Sequence, residues 1–504
     1  MFSYTELKRG LFNGKTKRPL VLAAVMLTMF VSAVEATIVS TAMPSIAAEL
    51  GGFSQYSWVF SAYLLMSTVT VLLYGKLSDI FGRKRIFTVG MLLFLLGSLL
   101  CGLATSMDEL IIFRFVQGLG AGAVMPIATT IVGDIYTREE RAKIQGYLSS
   151  VWGISAVTGP AIGGVLVVTI GWEYVFWINL PLGILSLLGV LLFLKEPVNN
   201  NTPVIDFKGA ALLMVALSSL LYLLVEGGVS FDWLSIQSFI LLVVSSFLII
   251  LFILVEREAV DPIMPFEIWR NKTILFANLV SLATGVILIG ISSYLPTYVT
   301  GVMEQPAAIA GFTLTAMSIG WPLAAFFSGR LLLKIGYFKT SLAGGVFLVI
   351  GSLLFVLMQP SFGPLWAAMS SFAIGIGMGL TSTAFIVSIQ AAVSYKQRGA
   401  ATASNMFMRN LGSTIGVALL GSILNSSLLR YFAENGQSYS LSSINDLLSK
   451  KTRIELPVEA LNFLQQALAE ALQIVYLVTA FFAMLSLILI LGLRGQRGVK
   501  SNVK

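Results

Sequence analysis

The sequence predicts an all-α polytopic membrane protein with fourteen spans, and three observations carry that prediction. Hydrophobic residues make up 57% of the 504 residues and charged ones 11%, less than half of the roughly 25% that a soluble chain uses to cover its surface. Mean hydropathy is +0.88. Apolar windows of the ~20 residues needed to cross a bilayer core recur along the whole chain. Of the 32 Lys and Arg, all but six fall in alternate loops, the bias that orients helices in a membrane. A soluble enzyme of this size is excluded.

The expected spans are 20–43, 57–75, 86–104, 109–131, 143–168, 174–194, 208–225, 234–255, 273–295, 309–328, 340–358, 364–388, 400–425 and 471–493. The first is longer than a signal-peptide core and is interrupted by Glu35, so it is read as a retained helix. Basic residues crowd the N-terminal tail and every second loop after it, beginning with Lys76, Arg83, Lys84 and Arg85. The exceptions are Arg430, Lys450, Lys451 and Arg453 in one opposite loop, and Arg114 and Arg409 inside spans. This places both termini in the cytoplasm of a bacterial cell and the chain in its plasma membrane. The net charge of +8 is then topogenic, and no nucleic-acid partner is expected.

The chain has no His and a single Cys, Cys101. Imidazole chemistry, an intrachain disulfide and a Cys-based metal site are therefore excluded, and no cofactor is expected. No Gly-x-x-x-x-Gly-Lys-[Ser/Thr] loop is present, so energy must come from an ion gradient rather than a nucleotide.

A weak internal repeat divides the chain. Gly75-Lys-Leu-Ser-Asp79-Ile-Phe-Gly82-Arg83 after span 2 matches Gly329-Arg-Leu-Leu-Leu-Lys334-Ile-Gly336-Tyr after span 10. Gly118 to Gly122 in span 4 matches Gly375 to Gly379 in span 12, and Arg141-Ala142 matches Arg398-Gly399. The expected organisation is a tail (1–19), a six-helix bundle (20–196), two inserted linker helices (197–258), a second six-helix bundle (259–493) with a long outer loop (426–470), and a tail (494–504). A substrate site near mid-membrane between two rocking halves follows from such a repeat.

Four stretches carry a resemblance to the major facilitator superfamily, and within it to the fourteen-span drug:proton antiporters. The first is Gly75 to Arg85, with Gly82 and Arg83; Leu333 stands where a second Asp79 would align. The second is Arg114-Phe-Val-Gln117-Gly118. The third is Gly153-Ile-Ser-Ala-Val-Thr-Gly159-Pro160-Ala-Ile-Gly163-Gly164, which resembles the antiporter motif. The fourth, Trp172 to Gly183, resembles the entry to span 6. The resemblance covers nearly the whole chain apart from 426–470 and the tails, and it implies two six-helix bundles joined by two inserted helices. It also implies a cytoplasmic latch formed by Gly75, Asp79, Gly82, Arg83 and Arg141, with Asp79 at a helix N-terminus. Gly153, Gly159, Pro160, Gly163 and Gly164 are expected to form a pliable gating seam, because small residues allow close approach and proline removes a helix hydrogen bond. The aromatics of 172–177 are expected at the outer interface.

Glu35 is the one acid deep in a span, and Val34-Glu35-Ala-Thr37 resembles that group's first-helix motif, which has Asp at this position. Low dielectric disfavours the carboxylate's charge and a nearby Arg114 favours it, so this balance is the expected proton switch. Arg114 and Gln117, three apart, share a helix face. Asn405, Arg409 and Ser413 form a polar stripe in span 13. Glu35, Gln117, Asn405 and Arg409 are the expected polar substrate contacts, with Tyr294, Trp321, Phe385 and Met406 as adaptable apolar walls. Residues 457–468 are expected to form an amphipathic outer helix leading into span 14. The expected function is proton-coupled export of lipophilic, often cationic, compounds by a monomer whose partners are the bilayer, its substrates and protons. An exporter of an anionic or neutral metabolite, held by Arg114 and Arg409, and a non-transporting sensor of the same fold remain as alternatives.

Overall fold

The computed structural model of the chain describes residues 16–136, 138–196, 207–259, 262, 266–393, 398–435 and 439–493, with some side chains inside helices outside the description. The tail 494–504 and most of the tail 1–19 lie outside the described residues. Apart from one isolated bridge between Gly227 and Phe231, the regular structure among the described residues is helical.

The long helices are α1 (Arg18–Leu50), α2 (Tyr56–Phe81), α3 (Arg83–Cys101), α4 (Met107–Ile135) and α5 (Arg138–Thr169). A single turn, Tyr174–Trp177, leads into α6 (Asn179–Phe193), and the two expected linkers are α7 (Phe207–Glu226) and α8 (Ile236–Glu258). Then come α9 (Lys272–Thr297), closed by a π-helical turn Tyr298–Val302, and one stretch Ala307–Val356. That stretch breaks at Gly336 into α10 (307–335) and α11 (337–356). The series continues with α12 (Gly363–Ala392), α13 (Arg398–Glu434), the short α14 (Ser443–Leu448) and α15 (Lys450–Glu455), and α16 (Val458–Leu491). Twelve helices among the described residues are long and apolar enough to cross a membrane; α2 and α5 are not among them, and in α5 the apolar stretch is Thr158–Thr169. The chain is a multi-pass membrane protein.

The two loop glycines of the repeat do the same work. Gly82 ends α2 at φ 92°, and Gly336 separates α10 from α11 at φ 79°, a region that costs L side chains strain. Close helix contacts recur as well. The position of a Cβ on Gly120 lies 2.1 Å from Phe94 N, and that on Gly377 lies 2.8 Å from Leu348 N. Gly118 meets Tyr63 and Gly375 meets Met317 in the same way. Thus α4 packs on α3 and α2 as α12 packs on α11 and α10, because glycines remove the side chains that would hold the backbones apart.

The core is arranged unevenly along the membrane normal. At the end far from the termini one apolar cluster takes in residues of α1, α9, α10, α13 and α16 together. At the end carrying the termini the apolar clusters are separate: one joins α1, α3, α4, α5 and α6, and another joins α9, α12, α13 and α16. The two halves share a large core at the far end, whereas towards the terminal end each has its own cluster and the two are joined beside α7. α7 packs against both α2 and α13, with Leu217 and Leu221 beside Leu65, Met66 and Met408.

The outer loop differs in part from its expected form. α13 runs on to Glu434, and the helix expected over 457–468 is present as the first turns of α16, which continues unbroken into the span. Ile444 and Leu447 of α14 are buried over the end of α1, and Arg453 donates to the Thr300 carbonyl at 3.0 Å. The loop caps the far end.

Candidate functional site

α1 carries Glu35 into the protein interior, where its side chain is fully enclosed. No water can solvate the carboxylate there, so its charge must be met by protein groups. α4 supplies the first: Arg114 forms an ion pair and hydrogen bond with Glu35 Oε1. α6 supplies the second, Asn179, whose Nδ2 donates to Glu35 Oε2 at 2.6 Å. Arg114 is satisfied further by the Gln117 Oε1 at 2.6 Å and by the Val59 carbonyl of α2 at 3.2 Å. Its guanidinium stacks over the Tyr63 ring, 4.1 Å from the centroid. Ser98 of α3 completes the cluster, accepting from Gln117 Nε2 at 3.2 Å and from Asn179 Nδ2 at 2.9 Å. Arg114, Gln117, Ser98 and Asn179 are all buried. Five helices therefore meet at one charge pair, and a proton on Glu35 would remove the charge that organises them.

The sequence brought Glu35, Arg114 and Gln117 forward and missed Asn179 and Ser98. Asn179 begins α6 in an otherwise apolar run, which was the available signal. The outer-anchor reading needs correction for two of its neighbours: Trp172 and Phe176 are buried, and Phe176 packs near Arg114, whereas Tyr174 is exposed.

The gating residues divide by the neighbour they meet. Gly159 and Gly163 of α5 pack on Thr37 and Ile38 of α1, just past Glu35, whereas Gly164 meets the Ala308 backbone of α10. Pro160 presents its carbonyl to Gly311, where a Cβ would lie 2.1 Å away. One helix thus touches both halves at the far end. In the basic loop, Arg83 pairs with Asp134 of α4 at 3.2 Å and bonds Ser78. The expected position of Asp79 at a helix N-terminus is not observed: Asp79 lies in the last turn of α2 and Gly75 within that helix. The N-terminus of α3 is capped instead by Glu196, which accepts from the N–H groups of Arg83 at 2.6 Å and Lys84 at 3.0 Å. The side-chain surroundings of Gly75, Asp79, Arg141 and Gly153 lie outside the described residues.

The second-half residues do not join the Glu35 cluster. Asn405 and Ser413 face α9: Asn405 donates to Ser281 Oγ at 2.7 Å and Ser413 to the Gly285 carbonyl at 3.1 Å. Arg409 is half-buried and stands 5.9 Å from the Trp321 ring centre. Met406 is 48% exposed. Tyr294 and Phe385, expected as cavity walls, are buried. Tyr294 stacks on Tyr56 in the far-end seam and Phe385 belongs to the terminal-end core of the second half, so neither presents surface to a ligand in this conformation.

Residues 25–417 match the sequence model of the Major Facilitator Superfamily. The chain is 33% identical over 494 residues to Multidrug resistance protein 3 of Bacillus subtilis (strain 168), covering 96% of each. It is 35% identical over 412 residues to the Multidrug transporter protein MdtP of the same strain, covering 82% of this chain and 76% of that one. Among solved structures, a bacterial homolog of the human lysosomal transporter Spinster, inward-facing and occupied, superposes with a TM-score of 0.66 at 16% identity. The match covers 94% of this chain and 96% of that one, a likeness of fold. A family match over most of the length, relatives above 30% identity and a multi-helix bundle with a buried charge pair agree: the chain belongs to the Major Facilitator Superfamily and is a membrane transporter, not an enzyme.

Proposed function

We propose that this transporter is a secondary active exporter, exchanging protons for lipophilic compounds by alternating access between two six-helix halves. In this reading α2 and α5, 26 and 32 residues long, complete a set of fourteen spans, both termini are cytoplasmic, and the protein acts as a monomer without a cofactor. The observation that carries the reading is the buried Glu35–Arg114 pair. Glu35 is the acid inside the first half, and its two oxygens are held by two different helices. Deprotonated, it fixes α1 to α4 and α6. Protonated, it leaves Arg114 with Gln117 and the Val59 carbonyl and without a counter-charge. The two charge states favour different packings, which is the differential affinity that coupling requires, since a ligand bound equally by both states shifts nothing. The membrane potential adds about 2.3 kcal/mol per charge per 100 mV. The names of the two Bacillus relatives support a range of drug-like substrates. The shared far-end core and separated terminal-end cores support a state open to the cytoplasm, the side from which an exporter loads.

The test is proton movement in proteoliposomes containing a pH dye. Adding a transported compound to wild type should release protons in step with substrate flux, and Glu35→Gln should insert normally yet uncouple the two. Substrate flux without proton movement in wild type would overturn the coupling.

A further inference from the structure

Along α13 the polar cross-half contacts among the described residues run from the far end to Thr414, while Phe407 and Met408 lie in an apolar cluster with Leu65 and Met66 of α2. Asn425 bonds the Ser54 carbonyl of the first half at 2.8 Å, Gly421 lies against Ser57, and Thr414 meets Thr68 at 3.2 Å. The next turn towards the terminal end carries Arg409 and Asn410, both half-buried, and the exposed Met406. Arg409 therefore stands just beyond the last of these polar contacts, on a face of α13 that Phe407 and Met408 do not share. Its backbone is fixed, since its carbonyl oxygen lies 2.1 Å from the position of a Cβ on Gly285 of α9. Its side chain runs to Trp321 of α10.

The two intramembrane arginines have opposite circumstances. Arg114 has an acid, an amide and a carbonyl. Arg409 has, among the described residues, neither an acid nor a hydrogen-bond acceptor, and an aromatic face near the limit of cation–π range is its contact. A cation at this depth without an anion is costly, and such residues mark ligand paths. Conversely, the carboxylate that would attract a cationic substrate, Glu35, is already held by Arg114 and Asn179.

We propose that Arg409 and Trp321 form a subsite for a lipophilic organic anion, a carboxylate or comparable planar acid carried on an aromatic or aliphatic body. The guanidinium fork matches a carboxylate in two parallel hydrogen bonds, and the indole face and Met406 receive the apolar body. This subsite rests on the export reading above for its place in a transport cycle, and it sets the preferred charge as negative rather than positive.

The probes are 1-pyrenebutyrate, its methyl ester and the matching pyrenebutyl trimethylammonium, offered to the full-length protein in proteoliposomes. Binding is read by energy transfer from tryptophan to pyrene, and transport by flux under an imposed proton gradient. Wild type should bind the acid at least tenfold more tightly than the ammonium. Arg409→Gln should lose at least tenfold on the acid and little on the ester, with Arg409→Lys losing less than Arg409→Gln. Equal or tighter binding of the ammonium, or an acid-to-ester ratio unchanged in Arg409→Gln, would overturn the proposal. If Arg409→Gln does not insert, Trp321→Ala in place of it decides: an affinity for pyrenebutyrate unchanged by that substitution removes the subsite. Acid-selective binding with no gradient-driven flux of any probe sinks the export reading and leaves the subsite; flux without acid selectivity does the reverse.

Discussion

Asn179 is the residue through which the hold on Glu35 can be measured. Its amide donates to the charged carboxylate at 2.6 Å, and a hydrogen bond to a charged group is worth roughly 1.5–3 kcal/mol. Asn179→Leu removes that bond, so the hold of α6 on α1 should weaken by roughly 1.5–3 kcal/mol and the purified protein should melt at a lower temperature in detergent. Unchanged melting would mean that this bond does not help to hold the pair. Glu35, Arg114 and Gln117 were legible in the sequence because a charge in an apolar span is costly and stands out. Asn179 and Ser98 were not, because neutral amides and hydroxyls are ordinary in membrane helices and their importance depends on which helices touch. Tyr294 and Phe385 show the converse limit: an aromatic residue type does not state which face of its helix it occupies.

At the scale of elements, the repeated glycine seams make a paired prediction. A Cβ on Gly120 lies 2.1 Å from Phe94 N, and one on Gly377 lies 2.7 Å from the Leu348 Cγ. Gly120→Val and Gly377→Val should each force a helix pair apart, with an overpacking cost of about 1–3 kcal/mol. Gly120→Val should be the more damaging, since its nearest backbone atom lies at 2.1 Å, against 2.8 Å to Leu348 N for Gly377. Melting of the purified protein in detergent checks the order; equal melting of both variants and wild type would refute the close approach. Most helices stand where the apolar windows put them, because span length is dictated by the bilayer. The misplaced ends have a common cause. α13 continues past 425 because Leu428 and Phe432 are buried in the far-end core, and α16 begins at Val458 because Pro457 stands at its N-cap. Both extensions are made by packing outside the apolar slab, which a hydropathy window does not see. The capping of α3 by Glu196 was hidden for a related reason: it joins residues more than a hundred positions apart.

For the whole molecule, the state with a shared far-end core depends on how closely α13 approaches α2 and α9. Gly421 permits this approach: a Cβ there would lie 2.4 Å from Ser57 Cβ and 2.8 Å from Tyr294 Oη. Tyr56 ties the same seam, donating to the Ser293 carbonyl at 2.8 Å and stacking on Tyr294 at 5.9 Å. Gly421→Val should therefore destabilise the far-closed state relative to one open at that end. A reporter cysteine at Ser293, which is buried, makes the shift visible, because the native thiol Cys101 is buried too and stays silent. Labelling by a membrane-impermeant maleimide from the far side should rise several-fold in Gly421→Val. Gly329→Val is the control, since a Cβ there meets nothing within 4 Å; it should leave labelling at the wild-type level. If Gly421→Val labels no faster than the control while keeping its fold, the seam does not set the equilibrium between the two faces. Closure of the far end would then have to reside in the α14 cap over α1.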